Sequence, residues 1–530
     1  MMRREWLAET HGPTFELLRH FLLRFFDSEL VTSPGQTAVA LIGSSSMFVS
    51  WFPFVTGPLK DKYARLAAHP EAYRWALRAD ELWLITMVMA AVGLLTAIKW
   101  QSVFPARTDY YATGWLPIRA RQVFSAKLAA LLIVATGAIL VLNLAPALGF
   151  PMLANSPVMP TVAALVAASY FGFFALVAIQ GVLLNLRRSL SAFLAAIMLI
   201  LLVLSFSIGP PVAHALLRPE VARWLPNVWF LGLCDPALPA LAHRARMALW
   251  ISALALLAVY FVSYKRHRTL MMEGIGAPWK ERRWRTVIFD WLVPDPREQA
   301  IISFLFKGIS SNGPHRMILM GYGGFGVAVL LIAARKVSAP AAFVYGHVIL
   351  LVFLLIGLRH LFSIPVELRA NWAFRITEGA GREYWRRAVD RFVLFFGALA
   401  MVIVPFPIEA RLLGWPAVSE SALFAIFALA CYEAVFASWE KLPFTCSYLP
   451  GRKPMWMLAL RLLGLLTALP LVNALLLACL SNWPLYVGVW SALAAIWVRS
   501  YKLRRQSWTE IRLKYDETPD PAIQSLSLMR

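Results

Sequence analysis

Charge is scarce in this sequence. Charged residues make up 15% of the chain, against about 25% in soluble domains. With 59% hydrophobic residues and a mean hydropathy of +0.63, the composition excludes an ordinary water-soluble core. Acidic residues are the scarcer sign, 29 against 51 Lys and Arg. Cysteine is rare too. Cys234, Cys431, Cys446 and Cys479 are scattered without CxxC spacing, which excludes a disulfide framework and a spaced zinc site. Neither HExxH nor a GxSxG elbow occurs, and the nine histidines are dispersed. The chain is therefore not read as an enzyme, and no catalytic, metal or cofactor-binding residue is nominated. Barrel-like alternation of polar and apolar residues is absent as well.

What the chain has instead is apolar runs of about 20 residues from end to end, the length that crosses about 30 Å of hydrocarbon. The expected fold class is an all-α polytopic membrane protein of about twelve spans. The runs lie near Thr37–Thr56, Leu82–Lys99, Leu128–Leu148, Val162–Leu184, Ser191–Ile208 and Leu249–Tyr264. A second set lies near Ile318–Ala334, Ala341–Leu358, Phe392–Pro407, Ala422–Trp439, Met457–Ala478 and Leu485–Val498. These give a first half over 1–263, a central linker over 264–316, a second half over 317–500 and a tail over 501–530. The halves are expected to run parallel, since six crossings return the chain to its starting side.

Each half is expected to open with a helix lying on the membrane surface. In the first, over 13–30, Phe15, Leu18, Leu22, Phe25 and Phe26 share one arc, with His20, Arg24 and Asp27 opposite. In the second, Ile301-ISFLFK-Gly308 repeats the pattern. Lys and Arg collect in alternate loops, placing both termini in the cytoplasm. The formal charge of +22 is thus read as positive-inside bias and contact with the lipid bilayer, not nucleic-acid binding. The external loop Gly57–Glu81, with five basic and four acidic residues, fits that rule poorly. Gly209–Met247, with Pro210, Pro211, Pro219, Pro226, Pro236 and Pro239 breaking apolar stretches, reads as short helices dipping into the outer leaflet.

The most distinctive loop runs from Trp100 to Lys127, basic, aromatic and stiffened by Pro105 and Pro117. A fainter copy lies over Arg359–Arg391. At one constant offset Phe104 matches Phe362, Asp109 matches Glu367, Ala112 matches Ala370 and Ile118 matches Ile376. Two phosphate-loop look-alikes fail. Gly321-YGGF-Gly326 sits in an apolar span without a preceding strand, where its small residues suit helix packing. Gly308-ISSN-Gly313 is followed by Pro314-His315 where a Walker loop needs Lys and Ser or Thr. Among polar residues inside spans, Glu433 reads as a gate or as half of an ion pair at the inner surface. Gln180, Asn143 and Asn473 read as interhelical hydrogen bonders or pathway residues, and His347 as a solitary buried imidazole.

The loop Phe104-PARTDYYATGWLPIRARQVFSA-Lys127 resembles the cytoplasmic loop of bacterial type-2 ABC export permeases. The likeness rests on Asp109, the Leu116-Pro117-Ile118 step, Arg119 and Ala126-Lys127, and Lys441-LPFTCSYLPG-Arg452 resembles a late loop of the same group. It implies a permease in the bacterial inner membrane, driven by a separate ATPase subunit, in two copies, that binds ATP and Mg. Phe104, Pro105, Asp109, Trp115, Leu116, Pro117, Arg119 and Lys127 would form the coupling element. Phe362, Glu367, Trp372 and Arg375 would form a second, weaker one lacking the Leu-Pro step. The substrate implied is a small molecule or a lipid-like compound. The alternative is a twelve-span secondary transporter of the major facilitator type, on the strength of Gly57-PLKDKYA-Arg65. A membrane-embedded enzyme is the third reading.

Overall fold

The computed structural model describes residues 13–26, 58–99, 103, 119–185, 190–273, 293–334, 338–366, 382–437, 439, 442–445 and 455–510. It is an all-α polytopic membrane protein. Eight helices among the described residues are long and apolar enough to cross a bilayer, and two shorter apolar helices accompany them. The chain divides into two compact units, Met1–Ala277 and Pro278–Arg530. The boundary falls within the segment expected to join two halves.

In the first unit, helix α1 (Pro13–Phe26) is followed by α2 (Pro70–Ile98), α3 (Ala120–Leu153), α4 (Val158–Asn185) and α5 (Ser191–Ser205). Three short helices, α6 (Pro210–Leu216), α7 (Pro219–Ala222) and α8 (Pro226–Cys234), lead into α9 (Pro239–Glu273). The expected span near residues 37–56 lies outside the described residues. In the second unit α10 (Pro296–Ser311) precedes α11 (Gly313–Ala334) and α12 (Ala339–Phe362). Next comes a broken span: α13 (Arg382–Val393), a π turn (Leu394–Ala398), α14 (Ala400–Ile403) and α15 (Phe406–Leu413). Then follow α16 (Pro416–Phe436), α17 (Met455–Ser481) and α18 (Trp483–Glu510).

The two units repeat one packing pattern. In the first, α2 packs on α4 and α5, and α4 packs on α9. In the second, α12 packs on α16 and α17, and α16 packs on α18. In both, the helix before the first span sits on the helix that opens the third, α1 on α3 and α10 on α13. Short connections and buried apolar faces dictate this: α11 and α12 pair as a hairpin, and Phe353, Leu355 and Val348 of α12 are at most 2% exposed.

Four expectations need correcting. The segment Gly57–Glu81 is largely helical: residues 58–66 form one helix, and α2 begins at Pro70, so its span is longer than the apolar run. Three of its charges are paired, with Lys62 Nζ 2.7 Å from both Asp80 oxygens and Arg78 Nε 2.7 Å from Asp235 Oδ2. Helix α5 has 15 residues, about 22 Å at 1.5 Å per residue, and stops before Gly209-Pro210-Pro211. Among the described residues, nothing lies within 4 Å of a Cβ placed on Gly321 or Gly323, whereas Gly324 and Gly326 are buried and a Cβ on Gly326 would lie 3.2 Å from Phe353 Cβ. Finally, α1 buries Leu17 and Phe21 deepest, because its inner face meets protein while Leu18 and Leu22 lie at the margin.

Of the three short helices α8 is the most buried, with Val228, Phe230 and Leu231 at 0% exposure in the first unit's core. A Cβ on Gly232 would lie 2.3 Å from Ala242 N and 2.8 Å from Leu241 Cβ, and a backbone atom has no rotamer with which to yield. Gly232→Ala is therefore expected to destabilise by about 1–3 kcal/mol. Gly137→Ala, where nothing lies within 4 Å among the described residues, should be neutral or slightly stabilising. Thermal unfolding in detergent reads both, and equal midpoints would refute the docking of α8.

Candidate functional site

In the first unit the described residues frame the Trp100–Lys127 loop at its two ends. Val103 is 1% exposed, and its carbonyl accepts from Tyr260 Oη of α9 at 3.3 Å. Arg119 opens α3, where Gln122 Oε1 accepts from Arg119 N at 3.0 Å and closes the helix start. One turn on, Phe124 packs against Tyr260 with ring centroids 4.8 Å apart. Lys127 is 4% exposed and holds its ammonium 4.9 Å from the Phe21 ring centroid of α1. A cation desolvated over an aromatic face contributes on the order of 1–2 kcal/mol. Lys127 thus packs its ammonium on α1. Phe104, Pro105, Asp109, Trp115, Leu116 and Pro117 lie outside the described residues.

The second unit holds the equivalent helix differently. Glu298 of α10 is 1% exposed and receives Arg387 Nε at 3.1 Å and Arg391 Nη1 at 2.6 Å, two arginines one turn apart on α13. Asp295 caps α10 by accepting from Arg297 N at 2.9 Å. Phe306 then packs edge-on against Phe392 and Phe396. Phe362, expected in a coupling surface, is 1% exposed within a ring cluster of Phe392, Phe436, Trp439 and Phe444. It is core, because α12 continues to this residue. Glu367, Trp372 and Arg375 lie outside the described residues.

The base of the second loop is clamped. Phe444 N donates to Phe362 O at 3.2 Å, and Val366 N donates to Phe444 O at 3.0 Å. His315 Nε2 lies 3.0 Å from Ile364 O. The Phe444 ring sits where a Cβ on Gly308 would come within 3.0 Å, so the end of α10 closes on the same point. The Gly308–Gly313 look-alike is thus a helix end and a linker, helical through Ser311.

Glu433 joins a buried charge network. Arg504 Nε lies 2.8 Å from Glu433 Oε2, and Arg504 Nη1 donates to Asp390 Oδ1 at 2.8 Å and to Tyr432 Oη at 2.8 Å. Tyr432 Oη in turn donates to Asp390, and Arg386 lies 3.7 Å from Asp390. The ion-pair reading of Glu433 holds, but its partner is on α18, not in a loop. Burial by itself would lower the Arg504 pKa; Tyr432, Asp390 and Glu433 outweigh it and keep the guanidinium charged.

Of the other polar residues, Asn143 fastens two helices. Asn143 Nδ2 donates to Ile139 O at 2.8 Å and to Ser169 Oγ at 2.9 Å, joining α3 to α4. Gln180 is 1% exposed and precedes Gly181, whose carbonyl accepts from Ser263 Oγ of α9 at 3.1 Å. Asn473 is likewise 1% exposed in α17. His347 is not solitary: Glu409 Oε1 stands 3.4 Å from its Nε2. Sequence reading missed this neighbour, as it missed Asp390, Glu298 and Arg504. A carboxylate near a helix end reads as solvent-exposed until the packing is known. Among known proteins, no family model, curated protein or solved structure matches this chain.

Proposed function

We propose that this chain is the permease of an ATP-driven exporter in a bacterial inner membrane. Both termini lie in the cytoplasm, and a separate ATPase subunit, holding ATP and Mg, docks on loops 104–118 and 367–381. The supporting observation is that each unit seats a surface helix on the helix leaving one of these loops, α1 on α3 and α10 on α13. A push on either loop is thereby delivered to a span and a surface helix together. The re-entrant α6–α8 segment before the last span of the first unit suits the same architecture. The substrate class is a small molecule or a lipid-like compound.

The two contacts are unequal. Helix α3 meets α1 through apolar packing and the Lys127–Phe21 contact. Helix α13 is tied by Arg387 and Arg391 to Glu298 and by Asp390 to Arg504, which fixes it. The first loop is the moving socket and the second a brace.

The test is purification from the native membrane. An ATPase should co-elute with the wild-type chain and be lost when Leu116 and Pro117 are replaced by Ala together with Arg119→Glu. Transport by the purified chain alone, driven by a proton gradient, would refute the proposal in favour of a secondary transporter.

A further inference from the structure

His347 of α12, Glu409 of α15 and Glu420 of α16 meet inside the second unit, away from the loop bases and the Arg504 network. Their side chains are deeply buried: Glu409 is 0% exposed, Glu420 3% and His347 5%. Among the described residues, both Glu409 oxygens, Glu420 Oε1 and His347 Nε2 have no hydrogen-bond partner. Nε2 and Glu409 Oε1 are nonetheless 3.4 Å apart.

The imidazole fixes its own tautomer. Its Nδ1 lies 3.1 Å from Phe343 O, an atom that can only accept, so Nδ1 carries a hydrogen. In the neutral ring Nε2 is then a lone pair. An ionised Glu409 would oppose it with a second lone pair, in a setting where an unpaired buried carboxylate is strongly disfavoured. One added proton resolves both, either on Nε2 or on Glu409. The ring is held for this role by stacking on Phe424, with centroids 4.6 Å apart at 17°.

We infer that His347 and Glu409 form a binding site for one proton, shared between imidazole Nε2 and carboxylate at neutral pH, with Glu420 as a second carboxyl beside it. The proton is taken from solvent hydronium and returned to water, so only an N–H or O–H bond is made or broken. A metal would need three converging ligands, and no such group occurs among the described residues. A proton needs no cavity.

The charged surroundings are few. Glu420 interacts electrostatically with Glu409 from α16. Arg411, on the same helix as Glu409, is exposed. The π turn and α14 carry no ionisable residue. On α11, His315 and Tyr322 engage Ile364 and His360 at the far end of the hairpin, and Arg316 lies beside His315. On α17, Arg461 lies in the opening turns and Cys479 near the end. Tyr345, two residues before His347, is half-buried on α12.

The site goes beyond the exporter reading and does not depend on it, since it is measured on the isolated chain without nucleotide. In lipid nanodiscs, infrared spectra of the wild type at neutral pH should show a carboxylic-acid band or an imidazolium ring mode. Glu409→Gln should abolish that signal and reduce bound protons by one per chain in a difference titration. Glu420→Gln should move the pH midpoint without removing the proton. If Glu409→Gln does not fold, His347→Gln gives the same test, and the midpoint of the acid band must shift. A wild type with neutral His347 and ionised Glu409, or variants leaving proton count and midpoint unchanged, would overturn the inference.

Discussion

Arg504→Met is expected to lower stability by about 3–5 kcal/mol, the usual cost of removing one partner from a buried ion pair. The loss falls mainly on Glu433. Asp390 keeps Arg386 at 3.7 Å, but Glu433, 1% exposed, has Arg504 as its ion-pair partner at 2.8 Å and accepts from its Nη2 at 3.1 Å. Arg504 also covers the Tyr432 ring, with its guanidinium carbon 4.7 Å from the centroid, so packing is lost with charge. Thermal unfolding in detergent measures the cost, and protease exposure of α18 should rise with it. The pair variant Arg504→Met with Glu433→Leu should recover much of the loss, because no uncompensated charge then remains. A loss below about 1 kcal/mol would mean that the pair behaves as an exposed surface bridge, and the packing of α18 on α16 would be wrong.

The fold class was legible because hydrophobic runs of span length leave no soluble alternative, and span positions followed from run centres. Span ends were not. Helix α2 begins at Pro70, a dozen residues before the apolar run at Leu82, because Lys62 and Arg78 neutralise Asp80 and Asp235 through tertiary contacts. Run length measures what lipid tolerates, whereas helix length also reflects what protein covers. The surface helices were legible from periodicity, but the choice of Leu17 and Phe21 as the buried pair depended on where α3 lies. Glu433 stood out as an acid within a span. Its partners did not, since Asp390 and Arg504 sit in segments that read as solvated basic loops. The same holds for Glu409, which lies beside a turn closed by Gly414 at φ 68° and gives no local sign of facing His347. Pairing between distant helix ends is set by packing, and one sequence carries no trace of it.

Phe444→Ala is expected to cost about 3–5 kcal/mol, as for other fully buried Phe truncations. The ring is 1% exposed and contacts Phe304, His315 and Phe362 at centroid distances of 6.2, 5.1 and 5.4 Å. Phe444 also adopts φ of 67°, a left-handed conformation that costs a side-chain-bearing residue about 1–2 kcal/mol. That strain is retained because its N–H and C=O both bridge to the end of α12, at Phe362 and Val366. The backbone conformation yields a sharper expectation than the cavity alone. Alanine keeps the strain and loses the ring, whereas glycine loses the ring and relieves the strain. Phe444→Gly should therefore be more stable than Phe444→Ala by about 1 kcal/mol, the reverse of the order found at helical or extended positions. Unfolding midpoints of the three proteins decide it. Alanine above glycine would mean that residue 444 is not left-handed, and the clamp between Phe444 and the Phe362–Val366 strap would fall with it. If the order holds, both variants should also loosen residues 363–366. Amide exchange should then rise at the base of the second loop while the Tyr260–Val103 anchor of the first stays protected, separating a local clamp from a global loss of packing.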